Sequence, residues 1–159
     1  MTAKVERKGP GLAALRRTLG GLQGAGVRWG VFQDAGEHDK ADMPMTTLMA
    51  IHELGARLPN GTQIPARSPM RMGTRAARRE ITDLAKQGLA LAVTALSVEP
   101  EKALLPAGRA AAEAIKRTIR SGQLTPLSPA TLANKDRDPA GIPLDDTGQL
   151  LEAIRAELG

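Results

Sequence analysis

His52 and Glu53 stand side by side in the run A-I-H-E-L-G, from Ala50 to Gly55, which matches the opening of a zinc-protease helix. That chemistry requires a second imidazole four residues on, so that both rings face one metal, and position 56 is alanine. The chain has only one other histidine, His38, and no cysteine, so a transition metal would have to rest on carboxylates and no metal site is expected. The adjacent Asp145 and Asp146 can in principle share a proton, but at a helix start such neighbours read as caps complementing its positive end. No serine has histidine and acid partners in a recognisable order. The glycines of G-G-L-Q-G-A-G, from Gly20 to Gly26, lack the dinucleotide spacing and precede a strand instead of following one, and no Gly-Lys-Ser or Gly-Lys-Thr occurs. No catalytic residue and no cofactor is therefore expected, and the chain reads as a non-enzyme. The remaining chemistry is electrostatic. Arg71, Arg75, Arg78 and Arg79 fall on one side of a predicted helix and, with Arg67, form the densest basic strip. Two readings stay open for it: contact with DNA phosphates or an acidic protein face, or a solvated face balanced by Glu80 and Asp83. Interleaved aromatics for stacking single strands are missing, and so is any base-reading motif.

Composition sets what must position these groups. At 159 residues the chain is the size of a single domain, residues 1–159, able to bury its own core. Trp29 and Phe32 are its only aromatics, so that core has to be built from Leu, Ile, Val, Met and many Ala. Such a core is thin, and association with other surfaces can complete its burial. The net charge of +5 raises the expectation of an acidic partner. Residues 1–10 are charged with no apolar core after them, so they read as a flexible segment and not a secretory signal. The most apolar run, Leu89 to Leu96, is far shorter than the roughly 20 residues of a membrane span, so no membrane contact is expected.

Leu12, Leu15, Leu19 and Leu22 predict an amphipathic helix over 11–22, ended by the following glycines. Val27 to Gln33 alternates and predicts a strand at the centre of a small sheet, followed by a loop or hairpin arm over 34–44. Thr46 or Thr47 caps a predicted helix to Leu54 with Leu48, Ile51 and Leu54 inward and Gly55 as its stop. Arg57 to Thr62 reads as a turn, and Ile64 with Pro65 as an extended piece outside any central strand. Ser68 and Pro69 open a predicted long helix with Ala77, Ile81, Leu84 and Leu91 inward, weakened towards both ends by Gly73 and Gly88 and frayed or bent near the latter. Pro100 starts another helix, whose stripe is Leu104, Gly108, Ala111, Ile115 and Ile119. Ser128 and Pro129 predict a short helix through Leu132, 136–143 a mobile loop, and Asp146 with Gln149 a capping box opening a last helix with Leu150, Leu151, Ile154 and Leu158 on one face.

The phrase P-L-S-P-A-T-L-A-N-K, from Pro126, followed by P-L-D-D-T-G-Q-L-L-E-A-I, ending at Ile154, resembles the carboxyl-terminal signature of the virion-morphogenesis, or tail-completion, proteins of tailed bacteriophages. A-I-H-E-L-G followed by I-P-A-R-S-P-M-R, Ile64 to Arg71, resembles the middle signature of the same family, in the same order and at a similar distance. The resemblance spans residues 27–155. It departs at Ser68, where these proteins often run Pro-Phe after the arginine, and after Ile154, where many continue into another strand. It implies an α+β fold, a small antiparallel sheet packed with several helices including a long central one, in a subunit that closes into a ring, hexameric in the family picture. The implied role is structural: a neck component of the virion, assembled in the host cytoplasm, joining head connector to tail while double-stranded DNA passes non-specifically through the lumen. Its implied partners are copies of itself and the neighbouring connector and tail-terminator or tail-tube proteins. Contact surfaces are then expected at Ile64 to Met70 and in an extended loop over 124–147, with His52, Ile64, Pro65, Arg67, Met70, Pro126, Leu127, Leu144 and Leu150 as interface residues. Arg71, Arg75, Arg78 and Arg79 would meet DNA or an acidic partner. The alternative is a DNA-binding accessory protein using the strip from Arg67 to Arg79.

Overall fold

The computed structural model describes residues 11–95, 99–126, 144 and 148–159. The architecture is α+β, as expected, and the long helix α5, Pro100–Arg120, is the element on which the others are laid. Its buried residues Ala103, Ala107, Ala111, Ala112, Ala114, Ile115 and Ile119 cover more than one stripe, because helices and strands approach it from two sides. Along one side run α3, Pro69–Ala76, and α4, Arg78–Ala95, with α1, Gly11–Gly21, against α4. On the other side lies an antiparallel pair, β1, Val27–Val31, with β6, Ile154–Leu158, in register Trp29 to Ala156. Among the described residues β1 is thus not the centre of a sheet: three separate two-stranded antiparallel sheets are formed there, the other two being β2, Glu37–His38, with β3, Met43–Pro44, and β4, Ala56–Arg57, with β5, Gln63–Ile64. The last two are the hairpin arm and the turn anticipated over 34–44 and 57–62.

Helix α2, Met45–Leu54, buries Met45 and Met49 and leaves Leu54 78% exposed, so its inward face is rotated from the predicted one, and neither Thr46 nor Thr47 caps it. Gly55 does end it, at φ 77°, with its N–H on the Ile51 carbonyl. The predicted long helix is interrupted at Ala77, which is buried between α3 and α4. Gly73 and Gly88 are not weak points. A Cβ on Gly73 would stand 2.6 Å from the Ile115 Cα and one on Gly88 2.0 Å from the Ala103 carbonyl oxygen, so each glycine is where two helix backbones touch. Leu91, expected inward, is exposed, and Ala92 takes its place.

The last helix, α6, Gln149–Ala153, is short, and Ile154–Leu158 is strand where helix was predicted. I-R-A-E-L fits period 2 as well as it fits the helical face begun by Leu150 and Leu151. The open ladder of β1 decides the matter. Ile154, Leu150 and Leu151 enter one core with Met45, Met49, Ala112, Ile115, Ile119, Leu124 and Leu144. The expectations for residues 1–10, for Ser128 to Leu132, for 136–143 and for the Asp145 and Asp146 caps lie outside the described residues.

Candidate functional site

The runs A-I-H-E-L-G and I-P-A-R-S-P-M-R fold onto one another at the corner between α2 and α3. The His52 carbonyl at the end of α2 accepts the N–H groups of both Arg67 and Ser68, at 2.8 and 3.1 Å. Ser68 sits in the left-handed region, φ 49° and ψ 48°, a conformation that costs a non-glycine residue about 1–2 kcal/mol. Its hydroxyl does not cap α3 as predicted. It donates to the Glu53 carbonyl at 2.8 Å and accepts from the Arg71 guanidinium at 2.6 Å. The cap comes instead from Glu53, whose carboxylate accepts the Met70 N–H at 2.9 Å and the Arg71 N–H at 3.2 Å. A carboxylate placed there satisfies two orphan donors and meets the positive end of the helix. Pro69, with no N–H to satisfy, occupies the first helical position.

Arg67 carries this corner to the residues after α5. Its side chain is 6% exposed, and its guanidinium donates to the carbonyls of Thr125, at 3.0 Å, and Pro126, at 3.4 Å. Burial pulls the Arg67 guanidinium below its ordinary value. Beside it His52 is held down at about 4, first by desolvation and then by the charges of Arg67 and His38, so its ring is neutral at pH 7. Its Nδ1 is buried without a hydrogen-bond partner among the described residues. Gln149 donates to the Asp39 carboxylate and accepts the Asp39 N–H at 3.3 Å, tying α6 to the turn between β2 and β3. Gln149 therefore works across the fold, while its expected capping partner Asp146 lies outside the described residues.

Of the residues expected at a contact surface, Arg67, Leu144 and Leu150 are buried inside the subunit, the first on backbone carbonyls and the others in the core. In the subunit they are internal ties. His52 and Met70 are half-buried, Met70 against the core. Pro65 and Pro126 are exposed, Ile64 is half-buried, and Leu127 lies outside the described residues. Ile64 and Pro65 line an open groove with Leu54 and Ala66 beside the β4–β5 hairpin.

The arginine strip is divided by the structure. Arg67 leaves it, and Arg71 is partly engaged with Ser68. Arg75, Arg78 and Arg79 are exposed around a shallow depression at the α3–α4 junction, joined there by Lys86 and lined otherwise by Ala76, Thr82 and Asp83. Sequence reasoning missed Lys86, although its spacing from Arg78 and Arg79 by two helical turns pointed to it. It also missed Glu53, read only as half of a failed metal motif. Among the described residues no group of three or more His, Cys, Asp or Glu side chains is placed to hold a metal ion, and no helix is long and apolar enough to cross a membrane.

No protein-family model, no curated protein and no solved structure matches this chain.

Proposed function

We propose that the chain is a structural subunit of the neck of a tailed phage or phage-like particle, forming a ring of six copies between head connector and tail. One observation carries the reading. Three of the phrases that produce the resemblance bond to one another, Glu53 accepting the Met70 N–H and Arg67 donating to the Pro126 carbonyl, 59 residues further on. Residues that a fold needs together for its own assembly are the kind a structural family keeps, and they serve here as ties between elements. In this reading the outward surfaces of the same corner, Ile64 with Pro65 and the exposed Pro126, face neighbouring copies. Prolyl backbone has already lost part of its freedom before docking, which lowers the cost of association.

The test has a biochemical and a particle arm. Analytical ultracentrifugation of the purified chain, alone and with the neighbouring neck proteins, is expected to give a closed oligomer. Particles from a host lacking the gene are expected to show separate heads and tails by electron microscopy. A chain that stays monomeric in every mixture, or heads joined to tails without it, overturns the reading.

A further inference from the structure

Several cations of this protein have acidic partners. Arg155 bonds to Asp34 and Glu157, Lys116 pairs with Glu113 at 3.2 Å, Lys102 with Glu99 at 2.7 Å and Arg117 with Glu80 at 3.6 Å. Around the depression at the α3–α4 junction the pattern changes. Arg75, Arg78 and Lys86 have no ion pair and no side-chain hydrogen bond among the described residues, and Arg79 reaches Asp83 only at 3.9 Å with 97% of its side chain exposed. Four cations facing one hollow of about 470 Å³, against the single acid Asp83, repel one another and leave a local excess of positive charge.

We infer that this depression is a docking surface for the phosphate backbone of double-stranded nucleic acid. The lining argues against a protein partner: its one apolar residue is Ala76, whereas a protein interface is centred on apolar or aromatic anchors with charges at the rim. It argues equally against single strands, because no ring is present on which bases stack. Three of the four cations are arginines, whose planar forks match phosphate oxygens. From Arg78 to Lys86 along α4 the surface extends about 12 Å at helical rise, roughly a third of the pitch of the duplex, long enough to reach neighbouring phosphates. A lining dominated by cations that meet phosphate oxygens reads charge and not sequence.

The inference does not depend on the neck reading, and the two fail separately. Binding of the full chain to a mixed-sequence duplex of about 30 base pairs is measured by fluorescence anisotropy between 50 and 200 mM potassium chloride, a range over which phosphate contacts dominate. Micromolar affinity is expected, falling with salt at a log–log slope near −3 to −4, about 0.9 for each neutralised phosphate. The Arg75→Gln, Arg78→Gln, Lys86→Gln variant is expected to cut the slope to about −1, while Arg16→Gln, Arg17→Gln on α1 leaves it unchanged. The substituted side chains are exposed and unpaired, so the thermal midpoint should move by no more than about 2 °C. A slope that the triple variant does not change overturns the inference. So does tighter binding of a poly-glutamate peptide than of the duplex at equal charge, which would make the hollow a seat for an acidic protein. Duplex binding by a chain that forms no ring keeps this inference and removes the neck reading; a ring indifferent to duplex does the reverse.

Discussion

Glu53 shows how a residue with a plausible chemical role can have a mechanical one. Its carboxylate is the N-terminal cap of a helix that begins sixteen residues later, while Ser68, the residue at the capping position, is held in a left-handed turn by the same group of bonds. Replacing Glu53 with alanine leaves two helix N–H groups without their acceptor and is expected to cost about 1–2 kcal/mol, a fall of some 2–8 °C in the thermal midpoint for a chain this long. His52 next to it makes the stability depend on pH. Its folded pKa, about 4, lies below the unfolded value of 6.5, so the unfolded chain binds the proton first. The stabilisation is complete above pH 6.5, declines as pH falls and is gone below about 4. Urea unfolding at pH 7 and pH 4.5 should show wild type losing about 2–3 kcal/mol more than His52→Gln over that interval. Equal losses would mean that the ring is not desolvated as described. Neither role was legible in the sequence, because a cap supplied from another helix leaves no local spacing to read.

Elements whose signals were local came out where the sequence put them: α1, the first strand, the proline-led start of α5 and the glycine stop of α2. Those decided by a neighbour did not. β6 took the strand period because β1 offered a ladder, and the glycines of the predicted long helix, read as defects, are contact points with α5. The two meanings of a helical glycine predict opposite signs for one substitution. Gly20→Ala in α1, with nothing within 4 Å of the added methyl, should stabilise by up to about 1 kcal/mol through helix propensity. Gly88→Ala gains the same propensity but drives its methyl to 2.0 Å from the Ala103 carbonyl oxygen. Backbone cannot yield as a flexible side chain does, so α4 and α5 must separate, and a net loss of about 1–3 kcal/mol is expected. Thermal melts of both variants beside wild type would check this, and a stabilised Gly88→Ala would show that the helices do not touch there.

At the scale of the whole molecule, the scarcity of bulky side chains visible in the composition reappears as incomplete burial. Among the described residues Leu54, Leu12, Leu91 and Leu19 remain 78%, 63%, 55% and 48% exposed, while α5 is buried largely through alanine. Leu54 is the most informative of these, because it ends α2 at the rim of the groove that also holds Ile64 and Pro65, on the face proposed to meet a neighbouring copy. Covering one leucine is worth about 1.5–3 kcal/mol, or roughly 10- to 100-fold in an association constant for each interface closed. Leu54→Lys is the suitable probe: a cation is tolerated at the C-terminal end of a helix, where an acid would disturb the fold through the helix dipole. Because the side chain is already mostly in water, the thermal midpoint of the isolated subunit should shift by no more than about 2 °C. Sedimentation velocity across a concentration series should instead show the oligomer displaced towards monomer by at least tenfold in concentration. An unchanged oligomer would place the self-association surface elsewhere, with α1 and Leu91 of α4 the next apolar surface to test, since it carries the three next most exposed leucines.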